Sequence, residues 1–205
     1  MKTELARAKL ARAACRLNLK ARAALPALML MTDENRVADP VAAARALPKG
    51  AAIILRHTNA ARRAELAHAL AGLTASRGLL ILVAGDAKLA ARIGAAGLHL
   101  PEARLSEAAH WKACHPGWLI TVAAHSARAL RLAGLSRADA ALLAPVFPTL
   151  SHQERVPIGV ARFRLMAMNA PVPVYALGGV NAQTVARLAG ANLVGIAAIE
   201  GLLAD

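Results

Sequence analysis

Aromatic side chains are almost missing from this chain, with two Phe, two Trp and one Tyr in 205 residues. Nucleic-acid recognition through base stacking wants aromatics among the basic residues, so nucleic acid is not an expected partner. Cysteine is equally sparse. Cys15 and Cys114 stand far apart and form no metal-like spacing, which fits a reducing, cytoplasmic setting. No apolar run approaches the roughly 18 residues of a membrane span. The N-terminal stretch also lacks the apolar core of a secretory signal. No Pro/Gly/Ser-rich linker interrupts the chain, so one domain is expected, with residues 1–23 as a helix packed on a barrel of residues 24–205. Acidic residues are scarce too. Twelve Asp+Glu face 25 Lys+Arg, a net charge of +13 that favours anionic partners such as small phosphorylated molecules.

What the chain does have is apolar aliphatic residue, with 57% of it hydrophobic and most of that Ala, Leu, Val and Ile. Short runs apolar on both faces and bounded by Gly, Pro, Asp or Asn read as buried parallel strands. They are Ala27–Thr32, Ala51–Leu55, Leu79–Ala84, Gly97–Leu100, Trp118–Ala123, Ala140–Ala144, Val172–Leu177 and Leu193–Ala197. Helical patterns lie between them, among them Ala60–Ala75, Asp86–Ala95, Ser126–Gly134 and Asn181–Ala189. Eight strands joined by crossover helices in this length predict a (β/α)₈ TIM barrel. A doubly wound open sheet ranks second, because no G-x-G-x-x-G follows the first strand.

Thr3–Ala23 reads as an extra helix ahead of the first strand. Ala6, Leu10, Ala14, Leu17 and Ala21 share one face, and Lys2, Lys9, Arg16 and Lys20 roughly the opposite one. The sequence given stops five residues after Glu200, where an eighth helix belongs, so the C-terminal helix is expected to be truncated and the N-terminal helix to fill its slot. An empty slot would expose apolar strand surface and invite a homodimer contact. The alternative is a solvated basic arm.

Val174–Asn181 is a strand ending in Gly178-Gly179 before a helical pattern. Glycines there let backbone N–H groups approach an anion, and a helix N-terminus adds partial positive charge. The run Val194–Ile199 follows, and loops after the seventh and eighth barrel strands often hold phosphate. The expected phosphate-binding residues are therefore Gly178, Gly179, Gly195, Ile196, Ala197 and Ala198. The alternative is that the glycines serve only the geometry of the turn.

Further along, Ala95–Pro101 reads as a short strand entering a loop, and Ala123-Ala124-His125-Ser126 sets a histidine at a strand end. Ala144-Pro145-Val146-Phe147-Pro148-Thr149, with the later Pro157-Ile158-Gly159, is a strand and a long loop. Together with Leu30-Met31-Thr32-Asp33 and Leu177–Val180, this order resembles the thiamine phosphate synthase superfamily, which also contains thiazole tautomerases. The resemblance runs from about Leu28 to Ile199. It implies a TIM barrel, a role in thiamine biosynthesis, thiazole phosphate as a ligand, and substrate contacts from Arg56, Thr149 and Gly159.

The departures from that pattern cluster in one half of the site. A synthase usually ends its second strand in Gln-x-Arg-Glu-Lys. Here Ile54-Leu55-Arg56-His57-Thr58 keeps the arginine and lacks the glutamine and lysine. An Asn-Asp pair after the third strand becomes Gly85-Asp86, and Arg104 stands at the acidic position of Pro101-Glu102-Ala103-Arg104. Ala123 replaces a serine and His152 a lysine. The resemblance implies Mg²⁺ for a synthase, which leaves Asp86 and Glu102 as its candidate ligands. The apparent loss of pyrophosphate and metal ligands leans the reading to tautomerase-like proton transfer, which requires no cofactor. His125 is then the acid/base and His57 a second candidate. A divergent synthase using Mg²⁺ and a non-catalytic phosphate-binding barrel are the rivals. His125 could instead cap the following helix. Asp33 reads equally as a helix-entry cap or a mouth residue, and His99 as a satisfied wall residue. His68, His110 and His115 read as surface, and Trp111 and Trp118 as packing away from the mouth.

Overall fold

In the computed structural model, which describes residues 2–21, 24–149 and 156–203, eight parallel strands close into one barrel in chain order. The strands are β1 (Leu28–Met31), β2 (Ala52–Leu55), β3 (Leu80–Ala84), β4 (Gly97–Leu100), β5 (Leu119–Ala124), β6 (Ala140–Leu143), β7 (Val174–Ala176) and β8 (Gly195–Ala198). β8 closes on β1 with Leu28 opposite Ile196 and Leu30 opposite Ala198. The helices are α1 (Lys2–Ala21), α2 (Pro40–Arg45), α3 (Ala60–Arg77), α4 (Ala87–Arg92), α5 (Ala108–Cys114), α6 (Ala127–Leu135) and α7 (Val160–Met168). Among the described residues, no helix is long and apolar enough to cross a membrane.

Strand alternation divides the core into two layers. Met29, Met31, Ile54, Leu82, Leu142 and Tyr175 fill the barrel, while Leu28, Leu30, Ile53, Leu55 and Val83 pack outward against the helices. Both sets are buried, which is why the strands carry no polar alternation. The lone tyrosine is fully buried in the inner layer, and its hydroxyl donates to the Pro26 carbonyl at 2.7 Å.

Helix α1 lies across β8, β1 and a 3₁₀ turn at Glu200–Leu202. Leu10, Ala14 and Leu17 of its apolar stripe are buried, whereas Lys9 and Arg16 face water. The Asn18 amide pins the helix by donating to Val194 O at 2.7 Å and Leu25 O at 2.9 Å. The side chains of Lys2, Lys20 and Ala21 lie outside the described ones, as do residues 22 and 23 of the expected helix. One helix expected from the sequence does not form: the stretch 181–189 holds only a 3₁₀ turn at Val185–Leu188. Asn181 Oδ1 accepts the N–H groups of Gln183 (2.9 Å) and Thr184 (3.0 Å), closing a tight side-chain turn in place of a helical one.

Candidate active site

Parallel strands bring all their C-terminal ends to one rim, where the following loops enclose a cavity of about 690 Å³. On the β1–β3 side, Asp33 accepts hydrogen bonds from Arg36 (2.8 Å) and from Arg56. The Arg36 contact above all, with the Asn35 N–H and Arg56, holds the Asp33 carboxyl well below the usual carboxylate range. Asp33 is not the α2 cap, a role taken by Asp39, and does not itself line the cavity; it orients two arginines that do. Glu34 ties this loop to the next, accepting from Asn59 N at 2.9 Å and from the Thr58 hydroxyl.

His57 lines the cavity and is buried, with Nδ1 at 3.1 Å from Thr32 Oγ1. Thr32 Oγ1 also accepts the Arg56 N–H at 2.9 Å, which ties the ends of β1 and β2 together at this histidine. Burial lowers the His57 pKa, which favours the neutral ring. His125 meets a carbonyl instead. Its Nδ1 lies 2.8 Å from the Ala144 carbonyl, which can only accept, so Nδ1 carries the hydrogen and Nε2 is an acceptor. Its backbone N–H donates to Glu102 Oε2 at 2.7 Å. Helix capping is done next door, where Ser126 Oγ accepts Ala129 N–H at 3.1 Å. The capping reading of His125 is therefore replaced by a cross-strand contact to the end of β6.

His99 lines the same cavity and is the wall residue the sequence implied, with Nδ1 2.9 Å from Thr121 Oγ1. Desolvation, with Arg56 nearby, pushes its pKa down to about 4 from an ordinary 6.5. Protonation then favours the unfolded chain. The contribution is complete above about pH 6.5 and is lost as pH falls toward 4, worth about 3 kcal/mol over that window. A His99→Gln variant should show a smaller drop in melting temperature between pH 7 and pH 4.5 than the parent, and parallel curves would refute this assignment.

Gly178 and Gly179 line the same cavity, with φ of +90° and +65°. A Cβ at 178 would lie 2.7 Å from Pro145 Cα, and one at 179 would lie 2.4 Å from Pro148 O. Both glycines are thus required by the loop after β6, whatever they do for a ligand. Of the other expected phosphate residues, Ala198 lines the cavity. Gly195, Ile196 and Ala197 do not, because they are the body of β8. Ile196 N–H donates to Ala27 O at 3.1 Å, and a Cβ at 195 would come within 2.2 Å of that same oxygen and 2.8 Å of the Tyr175 ring. The rim after β8 is made instead by Ile199, Glu200 and Gly201. Thr149 lines the cavity. Gly159 does not, and its N–H is bonded to Val146 O at 3.1 Å. His152 lies outside the described residues.

Glu102 lines the cavity, but Asp86 caps α4 through Leu89 N–H (2.9 Å) and pairs with Arg63 (3.0 Å). Arg104 is drawn away by Glu107, at 2.7 Å to each carboxylate oxygen, and by the Gly85 carbonyl at 2.9 Å. Two cationic cavity residues were missed in the sequence. Arg36 sits three positions after Asp33, and Arg63 lies in the first turn of α3, the part of a crossover helix nearest the rim. That placement was the available signal, since Arg63 follows the Asn59 cap by four residues. His68 and His110 are exposed, and His115 stacks on Trp118 at 3.7 Å between ring centroids. Trp111 donates to Glu107 at 3.1 Å, and both tryptophans pack on the outer core, as expected for packing residues.

The chain resembles known proteins over nearly this whole unit. A candidate thiamine-phosphate synthase 2 of Aquifex aeolicus is 29% identical, covering 87% of this chain and 98% of the relative. The thiamine-phosphate synthase of Chlorobium luteolum is 31% identical over 86% of this chain and 85% of its own. The solved thiamine phosphate pyrophosphorylase of Pyrococcus furiosus superimposes with a TM-score of 0.68 at 23% identity, covering 84% of each chain, which supports the fold. The thiamine monophosphate synthase family model matches residues 28–202, all eight strands, and the chain belongs to that family.

Proposed function

We propose that this protein joins an aminopyrimidine diphosphate to thiazole phosphate and releases pyrophosphate. One observation carries the reading: one mouth cavity is lined both by Arg36, Arg56 and Arg63, which follow β1 and β2, and by the Gly178–Asn181 and Ala198–Gly201 loops, which follow β7 and β8. Two phosphorylated ligands then have two sets of groups to hold them in one cavity, the arginines and the glycine-bearing loops. The ligand losses noted in the sequence leaned toward tautomerisation. The relatives named as synthases favour the alternative, and Arg36 and Arg63 supply cations that the sequence reading had counted as missing.

In the reaction the thiazole ring nitrogen attacks the exocyclic methylene of the pyrimidine. A C–N bond forms, the C–O bond to diphosphate breaks, and its electron pair leaves with the pyrophosphate. Met31, Leu142 and Leu177 give the reacting carbon apolar surroundings. The leaving group gathers negative charge, which fixed guanidinium donors stabilise more in the transition state than in the bound substrate. The Arg56 side chain is 41% exposed while one of its nitrogens holds Asp33, so it is both positioned and open to the cavity. Arg56→Met should lower turnover about 10²-fold or more, the usual loss for one such donor. Formation of thiamine phosphate from the two substrates is the direct assay. Binding of both substrates without product would sink the reading in favour of a non-catalytic barrel.

The two histidines on the cavity lining, His57 and His125, favour a second reading, proton transfer on a thiazole ring. Mass-spectrometric uptake of deuterium into a thiazole carboxylate phosphate, abolished by His125→Asn, is the outcome expected for it. No such exchange would remove it.

A further inference from the structure

The family implies Mg²⁺ at this mouth, and the residues present do not fit it. Mg²⁺ is usually held by one or two carboxylates beside phosphate oxygens, in near-octahedral geometry. Asp86 gives Oδ1 to the Leu89 N–H at 2.9 Å and Oδ2 to Arg63 Nη2 at 3.0 Å. Glu102 gives Oε2 to the His125 N–H at 2.7 Å. Arg104 stands where the resemblance places a second acid, and its guanidinium is held by Glu107 and the Gly85 carbonyl. Among the described residues, no three His, Cys, Asp or Glu side chains gather as a metal site. A divalent ion on Asp86 would also meet the positive charge of Arg63.

We propose that the substrate's diphosphate is bound by the Arg63 and Arg56 guanidiniums and does not require a divalent cation. Arg63 is locked at two nitrogens, Nη1 on the His57 carbonyl at 3.0 Å and Nη2 on Asp86. Arg63 lines the cavity and its side chain stays 21% exposed, while its Nε is buried without an acceptor among the described residues. Asp86 thereby becomes a positioning residue for an arginine where the family pattern has a metal ligand. Guanidinium suits this task because its planar set of donors matches phosphate oxygens in pairs. The proposal rests on the synthase reading above, since it concerns the diphosphate of that substrate.

The test is calorimetry of inorganic pyrophosphate binding in EDTA and in excess Mg²⁺, with circular dichroism melting as the check on folding. Binding in EDTA at least as tight as in Mg²⁺ is expected. Arg63→Gln should weaken it by about 10- to 100-fold, the loss of a charged hydrogen-bonding partner. Asp86→Asn keeps the helix cap but loses the acceptor for Arg63 Nη2, and should weaken binding by the same factor in EDTA and in Mg²⁺. Tighter binding in Mg²⁺ that Asp86→Asn removes would overturn the inference and leave the synthase reading standing. Binding in EDTA that survives Arg63→Gln would overturn the assignment of Arg63. Failure to bind pyrophosphate under either condition would overturn the synthase reading itself.

Discussion

A Gly179→Val variant is expected to lose about 3 kcal/mol of stability or more, from an overpacked contact and a β-branched residue forced into a left-handed backbone. Its melting temperature should fall by roughly 6–12 °C for a domain of this size. The reason lies in the protein and not in a ligand. The new Cβ would stand 2.4 Å from Pro148 O and 2.7 Å from Phe147 Cβ, at a φ of +65°. Those atoms belong to the loop after β6, whose Phe147 N–H is bonded to Gly178 O at 3.1 Å. The two loops are built as one piece, so neither can give way alone. Gly179→Ala meets the same oxygen and should already show much of the loss, although an alanine methyl leaves room for a phosphate. Thermal melts of both variants decide the point. Unchanged melting with weakened phosphate-ligand binding would return Gly179 to a purely ligand-facing role.

Removing residues 1–21 is expected to cost the protein its fold. Leu10 and Ala14 are fully buried and Leu17 is 6% exposed, all within the layer that covers the barrel. Burying each leucine is worth about 1.5–3 kcal/mol, and the strand and 3₁₀ surfaces beneath would be uncovered as well. The sum approaches the whole stability of a typical domain, about 5–15 kcal/mol. Loss of the Asn18 contacts would further free two carbonyls, at Leu25 and Val194. The truncated chain should be insoluble or lack a cooperative melt. Leu10→Ala is the graded version, expected to remain folded with a loss of about 2–5 kcal/mol. A soluble truncated protein with the parent's melting temperature would make the helix a dispensable arm.

Local pattern made much of this barrel legible. Runs such as Ile81–Ala84 or Ala140–Leu143 are apolar on both faces, and that requirement comes from burial between a barrel interior and covering helices. The stripe Leu10, Ala14, Leu17 was legible for the same reason, as a spacing along one helix. His57 and His125 could be placed at the rim because parallel strands carry every C-terminal end to the same side. The chain itself therefore determined the strand count, the closing helix and the side on which chemistry would sit.

Tertiary structure decided what each rim residue does there. Gly195 looks like a phosphate glycine in the chain, yet its missing side chain makes room for Tyr175 and the Ala27 carbonyl, twenty and 168 positions away in sequence. Asp86 looks like a metal ligand until Arg63, from a different βα unit, takes its second oxygen. The ring contacts of His57 and His125 are made by Thr32 and Ala144, on other strands' ends. Each of these outcomes depends on which donor meets which acceptor across the barrel. Periodicity along a chain records burial, which is a property of one element. Hydrogen-bond partnership belongs to pairs of elements, and only the closed barrel brings those pairs together.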